Sequence, residues 1–142
     1  MYTSTAMPPK AAYSTPLYHV AEIERSIRFY ELLGFTLIDT DRCTPIGWAR
    51  MHCEGGAIMF LRAEHPFDAS GQFVYLAMYT PDLPGLCEHL IANGVNVPAI
   101  KYPGYMPSGM VEMTDPDGHK LGIHHWGKSE QEAWEKRLAE RP

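Results

Sequence analysis

Seven histidines, three cysteines and seventeen carboxylates are the side chains of this sequence able to hold a metal ion or move a proton. Their spacing matches none of the common metal sites. His19, His52, His65, His89 and His119 stand in no HExxH-type arrangement, and Cys43, Cys53 and Cys87 form no CxxC pair. The adjacent His124 and His125 lie in a stretch that reads as a strand, where neighbours point to opposite faces and cannot share an ion. His124 is expected in a cavity and His125 on the surface. Two kinds of chemistry remain. A neutral imidazole at His124 near the Glu112 carboxylate is adequate for proton transfer near pH 7. Alternatively, Arg50, Arg62, Glu112 and His124 set among aromatic rings are the parts of a small-molecule binding site.

These groups are positioned by a hairpin. Asp115-Pro116-Asp117-Gly118 has turn chemistry at every place: Asp115 to accept backbone N–H bonds, Pro116 with its φ preset, and Gly118 to close. Val111, Met113, Leu121 and Ile123 alternate around it at strand spacing. A similar Gly55-Gly56 turn joins strands at Trp48–Cys53 and Ala57–Arg62, 62 residues earlier. Ahead of each hairpin stands a helix ended by glycine, Glu22 to Leu33 before Gly34 and Asp82 to Asn93 before Gly94, at an offset of 60. The first buries Ile23, Ile27, Tyr30 and Leu33. The second buries Leu83, Leu86, Leu90 and Ile91 and is capped by Asp82. Strands at Tyr13–Val20, Phe35–Asp39, Phe73–Tyr79 and Val95–Ile100 complete two copies of strand–helix–three strands, and internal duplication of this kind defines an architecture.

The expected fold is therefore α+β: two tandem βαβββ modules, residues 13–64 and 72–126, forming a cupped, barrel-like mixed sheet. They follow a mobile arm at 1–12 and precede a C-terminal helix at 129–141, opened by a Ser129/Glu132 capping box with Trp134 and Leu138 on one face. At 142 residues this is one structural domain. A formal charge of −5 argues against nucleic acid or an anionic membrane as partner. No apolar run is long enough to span a membrane, and the N-terminus has no signal-peptide pattern. Three unpaired cysteines fit a reduced, cytoplasmic chain in which each thiol is a small buried apolar group.

The run Val20 to Tyr30 (VAEIERSIRFY), with Leu33-Gly34-Phe35 and later Asp115 to His119, resembles the vicinal oxygen chelate superfamily. That superfamily contains glyoxalase I, extradiol dioxygenases and bleomycin-resistance proteins, and the resemblance covers roughly residues 13–126. It implies a homodimer with each cavity built from both chains. It also implies metal ligands at equivalent points of each half, which fall here on Thr15, Phe60, Tyr75 and Gly122. That set offers neither imidazole nor carboxylate, so no metal and no other cofactor is expected. The resemblance then points to the bleomycin-resistance-like branch, in which a metal-free groove sequesters a ligand.

Strand parity places Tyr13, Leu17, Ile58, Arg62, Phe73, Ala77 and His124 on the same side as that quartet. Arg50 and Glu112 occupy equivalent positions in the two halves, as do Trp48 and Met110, and Arg50 with Glu112 reads as an ion pair, a polar floor or two solvated residues. Tyr102 and Tyr105, in the loop Lys101–Ser108, read as a lid hinged at Gly104 and Gly109. The candidate ligand-binding set is thus Tyr13, Thr15, Trp48, Arg50, Phe60, Arg62, Tyr75, Tyr102, Tyr105, Glu112 and His124, with no catalytic residue assigned. The expected function is metal-independent sequestration of a hydrophobic or aromatic small molecule, as in antibiotic resistance. The alternative is a lyase, isomerase or dioxygenase using a non-standard metal site or His124/Glu112 acid–base chemistry.

Overall fold

The computed structural model describes residues 7–142. Its first half runs β1 (Leu17–Val20), α1 (Ile23–Leu32), β2 (Thr36–Thr40), β3 (Trp48–Cys53) and β4 (Gly56–Arg62). The second half runs β5 (Tyr75–Thr80), α2 (Leu83–Ala92), β6 (Met110–Thr114) and β7 (Lys120–His125), and α3 (Lys128–Ala139) follows. The α+β class, the repeated strand–helix–hairpin order and the C-terminal helix are those expected from the sequence. The sheet itself is divided. Strands in the order β1-β4-β3-β2 make one open sheet and β5-β7-β6 a second, with β1 parallel to β4 and β5 parallel to β7.

Each helix covers one face of its own sheet. In α1 the residues Ile23, Ile27 and Tyr30 are buried, and the Tyr30 ring lies 5.1 Å from that of Phe60 on β4. Gly34 turns the chain out of the helix at φ +95°, a conformation that costs glycine little, and Phe35 N–H closes the end on Tyr30 O at 3.0 Å. In α2, Asp82 caps the first turn by accepting from Gly85 N–H at 3.0 Å. The buried stripe there is Leu83, Cys87 and Leu90, whereas Ile91 is 57% exposed and not inward as the spacing suggested. Ile23, Ile27, Tyr30, Phe60, Leu83, Cys87 and Leu90 join one apolar core with Val111, Leu121 and Ile123 of the second sheet.

Several local expectations are corrected. Val95–Ile100 is not a strand: Pro98 lacks the N–H a ladder needs, and the only pairing nearby is a single bridge between Lys101 and Met110. The second sheet consequently has three strands. β1 starts at Leu17, after Pro16, and Phe73 and Val74 lie outside β5. Helix α3 begins after Gly127 with no side-chain cap, so the Ser129/Glu132 capping box does not form, and none of its residues is buried. Cys87 is buried and Cys53 half-buried, but Cys43 is exposed. Of the N-terminal arm, residues 1–6 lie outside the described residues, and 7–12 are exposed without regular structure.

The two halves are joined by the DPDG loop. Asp115 Oδ1 accepts from the N–H groups of Asp117 and His119, at 2.9 and 3.0 Å. Its other oxygen accepts from the Tyr30 hydroxyl of α1 at 2.9 Å, deep in the core. Asp117 reaches the entrance of α1, taking bonds from Ala21 N–H and the Arg25 guanidinium, both at 2.9 Å. A carboxylate there is favoured by the helix dipole, and Glu22 at the N-cap makes no side-chain capping bond of its own. His119 stacks on Tyr18 at 4.3 Å, and its Nε2 lies 2.7 Å from the His19 carbonyl. The loop that reads as a hairpin turn is therefore also the clasp between the halves.

Candidate functional site

The face of each sheet turned away from its helix carries the candidate site. Register decides which side chains stand there. In the second sheet Tyr75, Ala77 and Tyr79 of β5 pair with Lys120, Gly122 and His124 of β7, and Glu112 and Met110 of β6 pair with Gly122 and His124. The alternate residues Leu121, Ile123 and Val111 are buried on the helix side. Tyr75, Ala77, Gly122 and His124 thus share the open face, in agreement with the parity argument, and Glu112 stands with them.

In the first sheet that argument fails on β4. Leu17 pairs with Met59 and His19 with Leu61, while Trp48, Arg50 and His52 of β3 pair with Leu61, Met59 and Ala57. These make the open face. Ile58 and Phe60 are fully buried on the other side, against the core, and Phe60 is removed from the site. The cause is the length of the hairpin loop. Cys53 pairs with Gly56 across two residues, whereas Asp115 N–H bonds His119 O across three. One extra residue moves the following strand by one place, and a shift of one flips every side chain to the opposite face. The position equivalent to Gly122 is therefore Met59. Arg50 with Glu112 and Trp48 with Met110 keep their equivalence, because β3 and β6 precede the two loops.

Arg50 and Glu112 do not meet as an ion pair. Arg50 donates its Nε–H to His52 Nε2 at 2.8 Å, reaches Met59 Sδ at 3.9 Å and lies under the Tyr13 ring at 5.1 Å. Tyr13, the residue after the N-terminal arm, meets the first sheet through that cation–π contact. Glu112 is exposed and has no ion-pair or hydrogen-bond partner among the described residues. Thr15 is half-buried, with a hydroxyl oxygen that has no hydrogen-bond partner. Arg62 lies at the end of β4 and lines a cavity of about 550 Å³ with His19, Leu61, His65 and Phe67.

On the second sheet the Tyr75 hydroxyl sits 3.1 Å from His124 Nε2, and Tyr79 packs edge-on against the same imidazole at 5.3 Å. The Tyr75 phenol crosses directly over Gly122, where a Cβ would collide with the ring and its oxygen. Burial pushes the Tyr75 phenol up, and the Glu112 charge adds to it. Burial also lowers the His124 imidazole, with Glu112 opposing. Both groups are accordingly neutral near pH 7. From Tyr79 the aromatic contacts continue to Trp126 at 5.4 Å and on to Trp134 of α3 at 6.5 Å.

Tyr102 and Tyr105 stand out from their loop, 67% and 74% exposed, with the Tyr105 hydroxyl on Met110 Sδ at 3.5 Å. Gly109, at φ +113°, packs against Ile100, Leu83 and Tyr102 and ends the loop. The first turn of α3 fastens it: a hydrogen bond from Ser108 holds the Glu130 carboxyl low, and Glu130 lies 4.0 Å from His125. His125 is thus partly covered by α3 and is not a free surface residue. The sequence reading missed His52, Met59 and Tyr79. Counting the residues in each hairpin loop would have revealed Met59, and the cross-strand position facing His124 would have revealed Tyr79.

The profile of the Glyoxalase/Bleomycin resistance protein/Dioxygenase superfamily matches residues 14–123. The chain belongs to that superfamily. Among solved structures, the bleomycin resistance determinant encoded on the transposon Tn5 is similar at a TM-score of 0.66 and 19% identity, over 83% of this chain and 99% of that one. A bleomycin-binding protein complexed with bleomycin is similar at 0.64 and 20%, over 82% and 99%. TnmS3, an antibiotic binding protein from Streptomyces sp. CB03234, is similar at 0.63 and 22%, over 82% and 98%. At such identities the likeness is one of fold. No curated protein sequence matches the chain.

The divalent metal that this superfamily implies does not fit these residues. With the register corrected, its four positions carry Thr15, Met59, Tyr75 and Gly122: a hydroxyl, a thioether, a phenol already bonded to His124, and no side chain. Hard divalent ions take carboxylate, imidazole and carbonyl donors. Among the described residues no group of three or more His, Cys, Asp or Glu is arranged to hold an ion.

Proposed function

We propose that the chain is a metal-independent binding protein that sequesters a hydrophobic or aromatic small molecule against the open faces of its sheets. The observation carrying this reading is the donor set above: the superfamily's ligand positions carry a hydroxyl, a thioether, a phenol and no side chain, with no imidazole or carboxylate among them. The similar solved structures described as bleomycin-binding and antibiotic-binding support sequestration as the use of such a face, with resistance to a toxic compound as its outcome.

The faces also expose apolar groups in quantity. Leu17 is 41% exposed, Leu61 38% and Tyr79 58%. Contiguous exposed apolar surface marks an interface or a ligand groove. This supports a homodimer in which each ligand is enclosed by both chains. Of the candidate contacts, Arg50, Tyr13 and Trp48 serve the first face, and Tyr75, Glu112, His124, Tyr102 and Tyr105 the second; Arg62, with the strand parity of Phe60, falls on the other side of β4.

Two measurements test the reading. Divalent metal per chain is determined after purification without chelators and after offering Ni, Zn, Mn and Fe. Flat aromatic compounds are then screened by thermal shift. The expected result is negligible metal, with a compound at a hundred times its Kd stabilising the fold by about 2.7 kcal/mol. About one equivalent of tightly held metal per cavity overturns the proposal in favour of the enzyme alternative. For turnover by metal-free proton transfer, His124→Ala would abolish activity; for sequestration it only weakens binding.

A further inference from the structure

The Tyr75–His124 contact specifies which hydrogen is free. Nδ1 of His124 is buried and has no hydrogen-bond partner. A neutral imidazole has one N–H and one bare nitrogen. Were the proton on Nδ1, a buried donor would be orphaned, and orphaned N–H groups are rarer than orphaned acceptors. Assigning the proton to Nε2, which then donates to the Tyr75 oxygen 3.1 Å away, leaves only an acceptor without a partner. The Tyr75 hydroxyl hydrogen is then unspent, since Tyr75 makes no other hydrogen bond among the described residues. The hydroxyl stands on the open face, in a ring that fills the space left by the absence of a side chain at Gly122.

What this donor accepts is limited by its neighbours. Glu112, the cross-strand partner of Gly122, places an unpaired carboxylate beside it. A ligand carboxylate or phenolate would meet a like charge there. Tyr79, edge-on to His124, and Tyr105, reaching Met110 at the adjoining cross-strand position, flank it with aromatic rings that suit a flat apolar body. We infer that Tyr75, seated over Gly122 and oriented by His124, is a single-donor subsite for an uncharged carbonyl oxygen on a flat aromatic ligand. Gly122 is its specificity determinant, because any side chain there evicts the phenol. The subsite rests on the binding function proposed above and supplies its ligand class.

Three naphthalenes differing in one substituent test it by calorimetric titration: the methyl ketone, the ethyl compound and the carboxylate. The ketone is expected to bind about three- to tenfold more tightly than the ethyl compound, the worth of one net hydrogen bond, with the carboxylate weakest. Tyr75→Phe, which keeps the ring, and Gly122→Ala, which displaces it, should each abolish the ketone's advantage. Tyr75→Phe should leave ethylnaphthalene binding within about twofold, and Ile91→Ala, exposed on α2 and away from both sheet faces, should leave the ratio unchanged. Equal binding of ketone and ethyl compound, a preference surviving Tyr75→Phe, or preferred binding of the carboxylate overturns the subsite while leaving sequestration intact. Failure of all three to bind the wild-type chain overturns both.

Discussion

Replacing Tyr30 by phenylalanine removes one oxygen from the centre of the molecule and nothing else. That oxygen donates to Asp115 Oδ2 at 2.9 Å, and the remaining bonds to this carboxylate all fall on Oδ1. Tyr30 is fully buried and Asp115 nearly so, so no water replaces the lost donor. A hydrogen bond to a charged group is worth about 1.5–3 kcal/mol, and chemical denaturation at pH 7 should show a loss in that range. The loss should also depend on pH. Burial raises the Asp115 carboxyl above its ordinary value, against the pull of His119 and of its hydrogen bonds. An acid whose folded pKa lies above its unfolded one binds protons better when folded, so its ionisation weakens the fold as pH rises through that window. The window opens near the ordinary value of about 3.9 and closes above the raised one. Losing the Tyr30 donor raises the folded value further, because that donor favours the charged form. The variant should therefore lose stability more steeply than wild type as pH rises from about 4 to 7, with the smallest difference between them at the acid end, where a neutral bond worth about 1 kcal/mol is lost. A cost below about 0.5 kcal/mol at pH 7, or one constant across the range, would refute this account of the clasp.

Other expectations follow from the same structure. Asp117→Ala should cost about 1.5–3 kcal/mol by denaturation, since it strips Arg25 and Ala21 N–H of a carboxylate that is only 4% exposed. Phe60→Ala should cost about 3–5 kcal/mol as a core truncation, whereas Met59→Ala should cost much less and change ligand binding, the opposite of what strand counting alone implies. Gly34→Ala should lower stability by about 1 kcal/mol, because φ is +95° with open space around the position, so only the backbone resists.

How far the sequence could be read differed from element to element. Helices were legible because Gly34 and Gly94 close them and Ile23, Ile27 and Tyr30 fall on one stripe. The DPDG hairpin was legible because its turn chemistry is local. Phe60 was misplaced because strand parity carries no memory across a loop: the two hairpins look alike, yet one holds an extra residue. Val95–Ile100 read as a strand by composition, with Pro98 as the contrary signal. The Tyr75–Gly122 fit was out of reach, since it joins residues on two strands and depends on a missing side chain. So was the clasp, whose partners Tyr30 and Asp115 lie 85 residues apart.

That clasp bears on the order in which the chain acquires its form. On the ribosome the first half emerges complete in sequence, with α1 and its sheet ready to assemble. Its Tyr30 hydroxyl and Ala21 N–H nonetheless wait for acceptors that lie 85 and 96 residues downstream. Contacts of such long range are made late, because the entropy of closing the loop is spent before they form. A nascent chain halted before Asp115 therefore exposes a buried donor and an unanchored helix, and holds them open until synthesis passes the second hairpin.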